Sequence, residues 1–251
     1  MSDDGGKKMS GGKPTGPKRG RITKPKASTN QRMMHEKVRT ARGRKIGSKL
    51  WLERQLNDPY VKKARELGYR SRAAFKLEEL DDKFGLIGKG DLIVDLGCAP
   101  GGWMQAAFKR GAGRIVGIDI LPVDAVPGAE ILHLDFMAED APDQLKAHLD
   151  RAPDMVMSDL AANTTGHQKT DHLKTVALVE AAAEFALDVL APGGDFVTKV
   201  FQGGAEERLL KRLRERFELV RHAKPKSSRK GSPEIYLVAK GYKPLPETVD
   251  E

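Results

Sequence analysis

The sequence predicts an α/β domain built on a mostly parallel, doubly wound sheet that ends in an antiparallel strand pair. Three observations carry this. From Asp91 onward, short apolar runs alternate with amphipathic helical stretches, the pattern of strands joined by crossover helices. The first apolar run, Leu92 to Leu96, stops at a glycine-rich turn from which a helical pattern starts. The last two strand-like segments, Phe217 to His222 and Glu234 to Lys240, are joined only by a Lys/Ser/Arg/Gly-rich loop with no crossover helix. Two strands so connected pair antiparallel.

Taken in order, residues 48–57 read as a short helix with Pro59 marking its end. Val61 to Leu67 reads as a second helix, stopped by Gly68. Ser71 offers an N-cap for a third helix carrying Ala74, Phe75, Leu77, Leu80 and Phe84, closed by Gly85. Strands are then expected at 91–96, 114–119, 130–134, 154–158 and 195–201. Helices are expected at 102–110, 141–149, 171–191 and 205–216. No internal repeat interrupts the series.

The formal net charge of +9 is unevenly placed. Residues 1–46 hold 14 lysines and arginines against 3 acids, whereas the remainder is nearly balanced. That segment is rich in Gly, Pro, Ser and Thr and almost free of large apolar residues before Met33. It buries too little surface to offset its ordering entropy, so it reads as a disordered basic tail. Such arms adhere to nucleic acid through phosphates, although a solubilising extension has the same composition. Residues 47–242 form the folded body and 243–251 a loose end. Within the body, basic residues cluster between Arg54 and Lys76 and again between Arg208 and Lys230. Two basic runs in a nearly neutral body suggest a polyanionic substrate.

One cysteine, Cys98, allows no intrachain disulfide and fits a reducing cytoplasm. Beside a glycine turn it reads as a small buried residue more readily than as a nucleophile. No apolar run approaches the roughly 20 residues that span a bilayer, and the N-terminus is too polar for a secretory signal.

The turn Gly97-Cys98-Ala99-Pro100-Gly101-Gly102-Trp103 marks a cofactor site, because glycine lets a ligand approach the backbone and first-turn amides favour polar groups. The spacing is G-x-x-x-G-G, not the G-x-G-x-x-G of dinucleotide sites, and no Gly-Lys-Ser/Thr follows. What remains is the looser turn of enzymes that bind S-adenosylmethionine on a Rossmann-like sheet. Asp119, ending the next strand, can accept hydrogen bonds from a ribose diol, although NAD enzymes place an acid there too.

Ligands in open α/β sheets sit at the carboxyl ends of the strands. Asp119, Asp135 and Asp159 lie at three such ends, and Lys199 lies near a fourth among Val197, Val200 and Phe201. Lysine is rarely buried unpaired. Asp159 is the nearest partner by strand order, with Glu234 second. A lysine acts as a base at neutral pH only when its pKa falls from about 10.4 towards about 7–8, which desolvation and nearby positive charge favour and carboxylates oppose. On spacing alone, a general base and an ion pair that orders the strand ends stand level.

Five segments together resemble one family. They are Arg70-Ser71-Arg72-Ala73-Ala74-Phe75-Lys76-Leu77, Asp95-Leu96-Gly97-Cys98-Ala99-Pro100-Gly101-Gly102-Trp103, Ser158-Asp159, Lys199-Val200-Phe201-Gln202 and Pro233-Glu234-Ile235-Tyr236. In order and spacing they are similar to the FtsJ/RrmJ-like ribosomal RNA 2′-O-ribose methyltransferases, the RlmE group, over roughly residues 48–242. The chain departs from that pattern after Asp159, where Leu160-Ala161-Ala162-Asn163 stands in place of the frequent Ala-Pro-Asn.

The resemblance implies a Rossmann-like methyltransferase domain over 47–242 and a catalytic tetrad of Lys76, Asp159, Lys199 and Glu234, with Lys199 taking the ribose 2′-hydroxyl proton. It implies S-adenosyl-L-methionine bound by Gly101, Trp103, Asp119, Asp135 and Asp159. It also implies a uridine in large-subunit (23S) ribosomal RNA as target, within the large subunit, acted on by a cytoplasmic enzyme, expected to be a monomer without a metal. The same chemistry on tRNA or an mRNA cap is an alternative. A ribosome-assembly factor that binds RNA without turnover is another, although a pure binder has no need of Lys199.

Overall fold

The computed structural model describes residues 52–162, 168–201, 207–229 and 231–245, Arg54 excepted. The basic N-terminal segment lies outside them, as do Asn163, Gln202 and the last six residues. After helical residues at 52–53 and 55–56, these elements follow among the described residues in chain order: α1 (Pro59–Glu66), α2 (Ala74–Phe84), β1 (Leu92–Leu96), α3 (Gly102–Arg110), β2 (Arg114–Asp119), β3 (Ala129–His133), α4 (Ala141–Ala147), β4 (Met155–Ser158), α5 (Gln168–Val189), β5 (Asp195–Phe201), α6 (Glu207–Arg216), β6 (Phe217–Ala223) and β7 (Glu234–Tyr242).

The strands form one sheet in the order β3-β2-β1-β4-β5-β7-β6. Neighbours from β3 to β5 pair parallel, and β7 runs antiparallel to both β5 and β6. The predicted closing pair therefore forms, with β7 inserted between β5 and the edge. Burial explains why the strands read so differently. All five residues of β1 are buried, as befits a central strand covered on both faces. The edge strands β3 and β6 are only partly buried and mix polar with apolar residues.

Two apolar layers flank the sheet. Leu96, Val156, Phe185, Phe196 and Leu213 belong to the layer on the α4, α5 and α6 side. Phe75, Leu77, Ile93, Trp103, Val197 and Tyr236 belong to the layer beneath α1, α2 and α3. No helix among the described residues is long and apolar enough to cross a membrane.

Two expected boundaries move. The helix expected from Val61 starts two residues earlier: helical residues at 52–53 and 55–56 end before Pro59 as expected, but Pro59 also occupies the first turn of α1, and Asp58 caps that helix by accepting the Tyr60 amide at 3.0 Å. Proline suits a first turn because its missing N–H would have no acceptor there. Ser71 does not cap α2, which starts only after Ala73 and has no side-chain cap. The Ser71 Oγ is instead buried without a hydrogen-bond partner among the described residues, against Gly102.

Candidate active site

The chain passes from β1 to β2 and β3 on one side and from β4 to β5 on the other, so the strand order reverses between β1 and β4. A cleft of about 270 Å³ opens at their carboxyl ends, lined by Gly97, Asp119, Leu121, Asp135, Phe136 and Asp159 among others. This is the switch point at which open α/β sheets bind ligands.

The turn after β1 owes its glycines to the protein as much as to any ligand. Gly97 has φ +80°, and a Cβ there would stand 3.0 Å from the Leu160 backbone. Gly101 has φ +104°, and a Cβ would meet the Arg70 guanidinium at 2.9 Å. Arg70 clamps this turn by donating to the carbonyls of Pro100, Asp124 and Ala125 at 3.3, 2.6 and 2.7 Å. That corrects its reading as part of a substrate-facing basic patch: the charge is spent on the fold. Arg72 is likewise committed, to Asp58 and the Ser227 carbonyl.

Three of the expected cofactor residues line the cleft. Asp119 accepts the Ala99 and Leu121 amides, each at 2.8 Å, so its carboxylate is fixed in orientation and retains further lone pairs. Asp135 accepts the Met137 amide at 2.9 Å. Asp159 is the third. The other two do not enter it with side chains. Gly101 sits behind the turn against Arg70 and Val126. The Trp103 indole is buried, donates to the Ala73 carbonyl at 2.9 Å and packs on Tyr236 with ring centroids 5.6 Å apart. It braces α2 and β7, and only its backbone stands at the N-terminal turn of α3.

The four residues expected to form a tetrad lie along one hydrogen-bonded chain. Lys199, 7 % exposed, donates to the Asp159 carbonyl at 2.7 Å and pairs with Asp159 Oδ1 at 3.1 Å. Lys76, reaching across from α2, pairs with Glu234 Oε1 at 2.7 Å. Glu234 thus serves Lys76, not Lys199. The two halves are joined by Tyr236, whose hydroxyl accepts from Lys76 Nζ at 3.1 Å and donates to Asp159 Oδ1 at 2.9 Å. Register explains the arrangement: Tyr236 lies directly opposite Lys199 across β5 and β7, and Glu234, two residues earlier, shares its face.

Tyr236 carried no assigned role in the sequence. The available signal was its place two residues after Glu234 in a strand that must pair antiparallel. Asp95, in the same motif as the glycine turn, is a second ionisable residue that the sequence left without a role. It is fully buried in β1, and neither carboxyl oxygen has a partner among the described residues.

Electrostatics divide these groups sharply. Burial pushes the Asp159 carboxyl up, but Lys199, Lys76 and the Tyr236 hydroxyl outweigh it and hold it below the ordinary range, so it stays charged. Burial, reinforced by Asp159 and Glu234, drives Tyr236 far above its usual value, leaving a neutral phenol that can donate. Burial, then Asp159 and Asp119, raises Asp95 well above a normal carboxyl, so it is a neutral acid. The Cys98 thiol is likewise pushed up by burial and by Asp95 and Asp119, which removes it as a nucleophile.

The cleft presents acceptors. Asp119, Asp135 and Asp159 are acceptors that carry negative charge. They suit a ligand that brings hydrogen-bond donors, such as an amino group and a ribose diol.

Comparison with known proteins follows the same line. A sequence profile described as FtsJ-like methyltransferase matches residues 69–242. A protein of Granulibacter bethesdensis named ribosomal RNA large subunit methyltransferase E is 56 % identical over 239 residues, covering 94 % of this chain and 98 % of its own. A protein of the same name from Caulobacter vibrioides is 53 % identical over 224 residues, covering 88 % of this chain and 99 % of its own. A crystal structure from Plasmodium falciparum, described as a ribosomal RNA methyltransferase, is 33 % identical with a TM-score of 0.63, over 70 % of this chain and all of that one.

Proposed function

The chain belongs to the FtsJ-like methyltransferase family, and from that premise we propose that it transfers a methyl group from S-adenosylmethionine to a ribose 2′-oxygen of a uridine in large-subunit ribosomal RNA, with Lys199 as general base. It is a methyltransferase enzyme whose relatives of more than half-identical sequence carry the name of a ribosomal RNA large subunit methyltransferase. The observation that carries the lysine's role is the pair of contacts from Lys199 to the carbonyl and carboxylate of Asp159, a residue that also lines the cleft.

A neutral lysine amine has two N–H donors and one lone pair. To act as base, Lys199 would meet the 2′-hydroxyl as that neutral amine, its two donors kept on Asp159 and its lone pair turned to the proton, with Lys76 and the Tyr236 hydroxyl then holding the Asp159 carboxylate. The Asp159 carboxylate, kept charged by its neighbours, steadies the ammonium that forms. Lys76 adds positive charge that favours the developing alkoxide, and Glu234 and Tyr236 hold it in place. S-adenosylmethionine, when bound, supplies an electrophilic methyl group with a neutral thioether as leaving group. The three acids of the cleft orient it, and the apolar walls at Leu121 and Phe136 suit an adenine.

Lys199→Ala tests the base. Methyl transfer to large ribosomal subunits should fall by about 10²–10⁴-fold, the usual worth of a positioned base, with the affinity for S-adenosylmethionine unchanged. Near-native activity removes Lys199 from that role. Mapping the nucleotide labelled with tritiated S-adenosylmethionine on ribosomal subunits tests the substrate, and a label on tRNA or on no RNA refutes it.

A further inference from the structure

The Glu234 end of the tetrad is held by something outside it. Glu234 Oε1 pairs with Lys76, and the same oxygen accepts the Ser228 hydroxyl at 3.0 Å. Ser228 is buried, on the hairpin loop between β6 and β7. That loop is fastened to α2. The Glu79 carboxylate accepts the Lys226 amide at 2.5 Å and the Ser227 amide at 3.1 Å. Arg72, just before α2, donates to the Ser227 carbonyl while pairing with Asp58, the cap of α1. Glu79 stands one helical turn beyond Lys76 on α2. The contacts therefore close a ring: Lys76, Glu234, Ser228, the loop backbone, Glu79, and back along α2 to Lys76.

We infer that Ser228 is a positioning residue for methyl transfer, holding Glu234 on Lys76 from a loop that Glu79 fixes to the same helix. The reason is competition for acceptors. Lys76 is a three-donor cation within the field of two carboxylates, Glu234 and Asp159. If Glu234 swings away, Lys76 turns to Asp159, which then serves two lysines. Lys199 loses the undivided acceptor that directs its lone pair. Ser228 removes that alternative by keeping Glu234 where Lys76 can reach it. The inference rests on the assignment of Lys199 as base.

A double-mutant cycle tests it in the full chain, by single-turnover methyl transfer to large ribosomal subunits that lack the modification. Ser228→Ala should slow transfer about tenfold in the native background but by less than about twofold when Glu234→Gln is already present, the non-additivity expected of residues acting through one another. The affinity for S-adenosylmethionine and the melting temperature should not move, and Ser228→Thr, which restores the hydroxyl, should recover most of the rate. An equal loss in both backgrounds, or no loss in the native one, overturns the inference. A native rate for Glu234→Gln alone overturns the tetrad assignment instead, so the two failures are told apart.

Discussion

Asp95 gives a stability prediction whose size follows from its surroundings. Its carboxyl lies in β1, whose five residues are all buried, and neither oxygen has a partner among the described residues. Its nearest charged neighbours, Asp159 and Asp119, are themselves acids. An unpaired carboxylate in such a place costs far more than protonation, so the folded chain carries Asp95 as the neutral acid. The unfolded chain releases that proton near the ordinary carboxyl value of about 3.9. The folded pKa is raised, so the stabilisation is fully present below the unfolded value and is lost as pH rises towards the folded one. Through that window the folded state holds one more proton, and stability falls by about 1.4 kcal/mol per pH unit. Asp95→Asn carries no proton to lose. Relative to that variant, the native chain should therefore lose stability as the pH rises above the unfolded carboxyl value of about 3.9, with a slope approaching about 1.4 kcal/mol per pH unit until the folded group titrates. Urea unfolding of both proteins, followed by tryptophan fluorescence, measures this, and taking the difference cancels the other titrating groups. Parallel stabilities across that window refute a buried neutral acid.

Three further outcomes are expected. Tyr236→Phe keeps the packing on Trp103 but breaks the link between Lys76 and Asp159, so methyl transfer should drop about tenfold and stability should fall by the roughly 1–3 kcal/mol that hydrogen bonds to charged groups contribute; an unaltered rate means the bridge is idle. Asp119→Ala strips the acceptor from the Ala99 and Leu121 amides as well as from a ribose diol, so calorimetry should show S-adenosylmethionine binding weakened by roughly 2–3 kcal/mol, and an intact affinity removes the diol assignment. Deleting residues 1–46 should weaken ribosomal RNA binding and flatten its dependence on salt, because fewer counterions are released; an unchanged salt slope shows that the tail is no RNA contact.

The amino-acid sequence alone determines the α/β class, the strands almost residue for residue, the antiparallel closure and the cofactor turn. These depend on local periodicity and on loop length, which the chain states directly. It also shows which charges stand at the strand ends, and so offers Asp159 and Glu234 as partners for Lys199. Only the tertiary structure decides how those charges are used. Arg70 and Lys76 belong to one basic cluster, yet Arg70 clamps backbone carbonyls and Lys76 reaches a carboxylate across the sheet. Lys76 meets Tyr236 across 160 residues of chain, and no local pattern encodes a contact of that range. Trp103 and Asp95 lie in the motif that marks the cofactor turn, but packing assigns the indole to Ala73 and Tyr236 and leaves the carboxyl neutral in the core. Spacing places a side chain on a face, whereas a charge takes its role from whichever opposite charge or lone pair the assembled layers bring within reach.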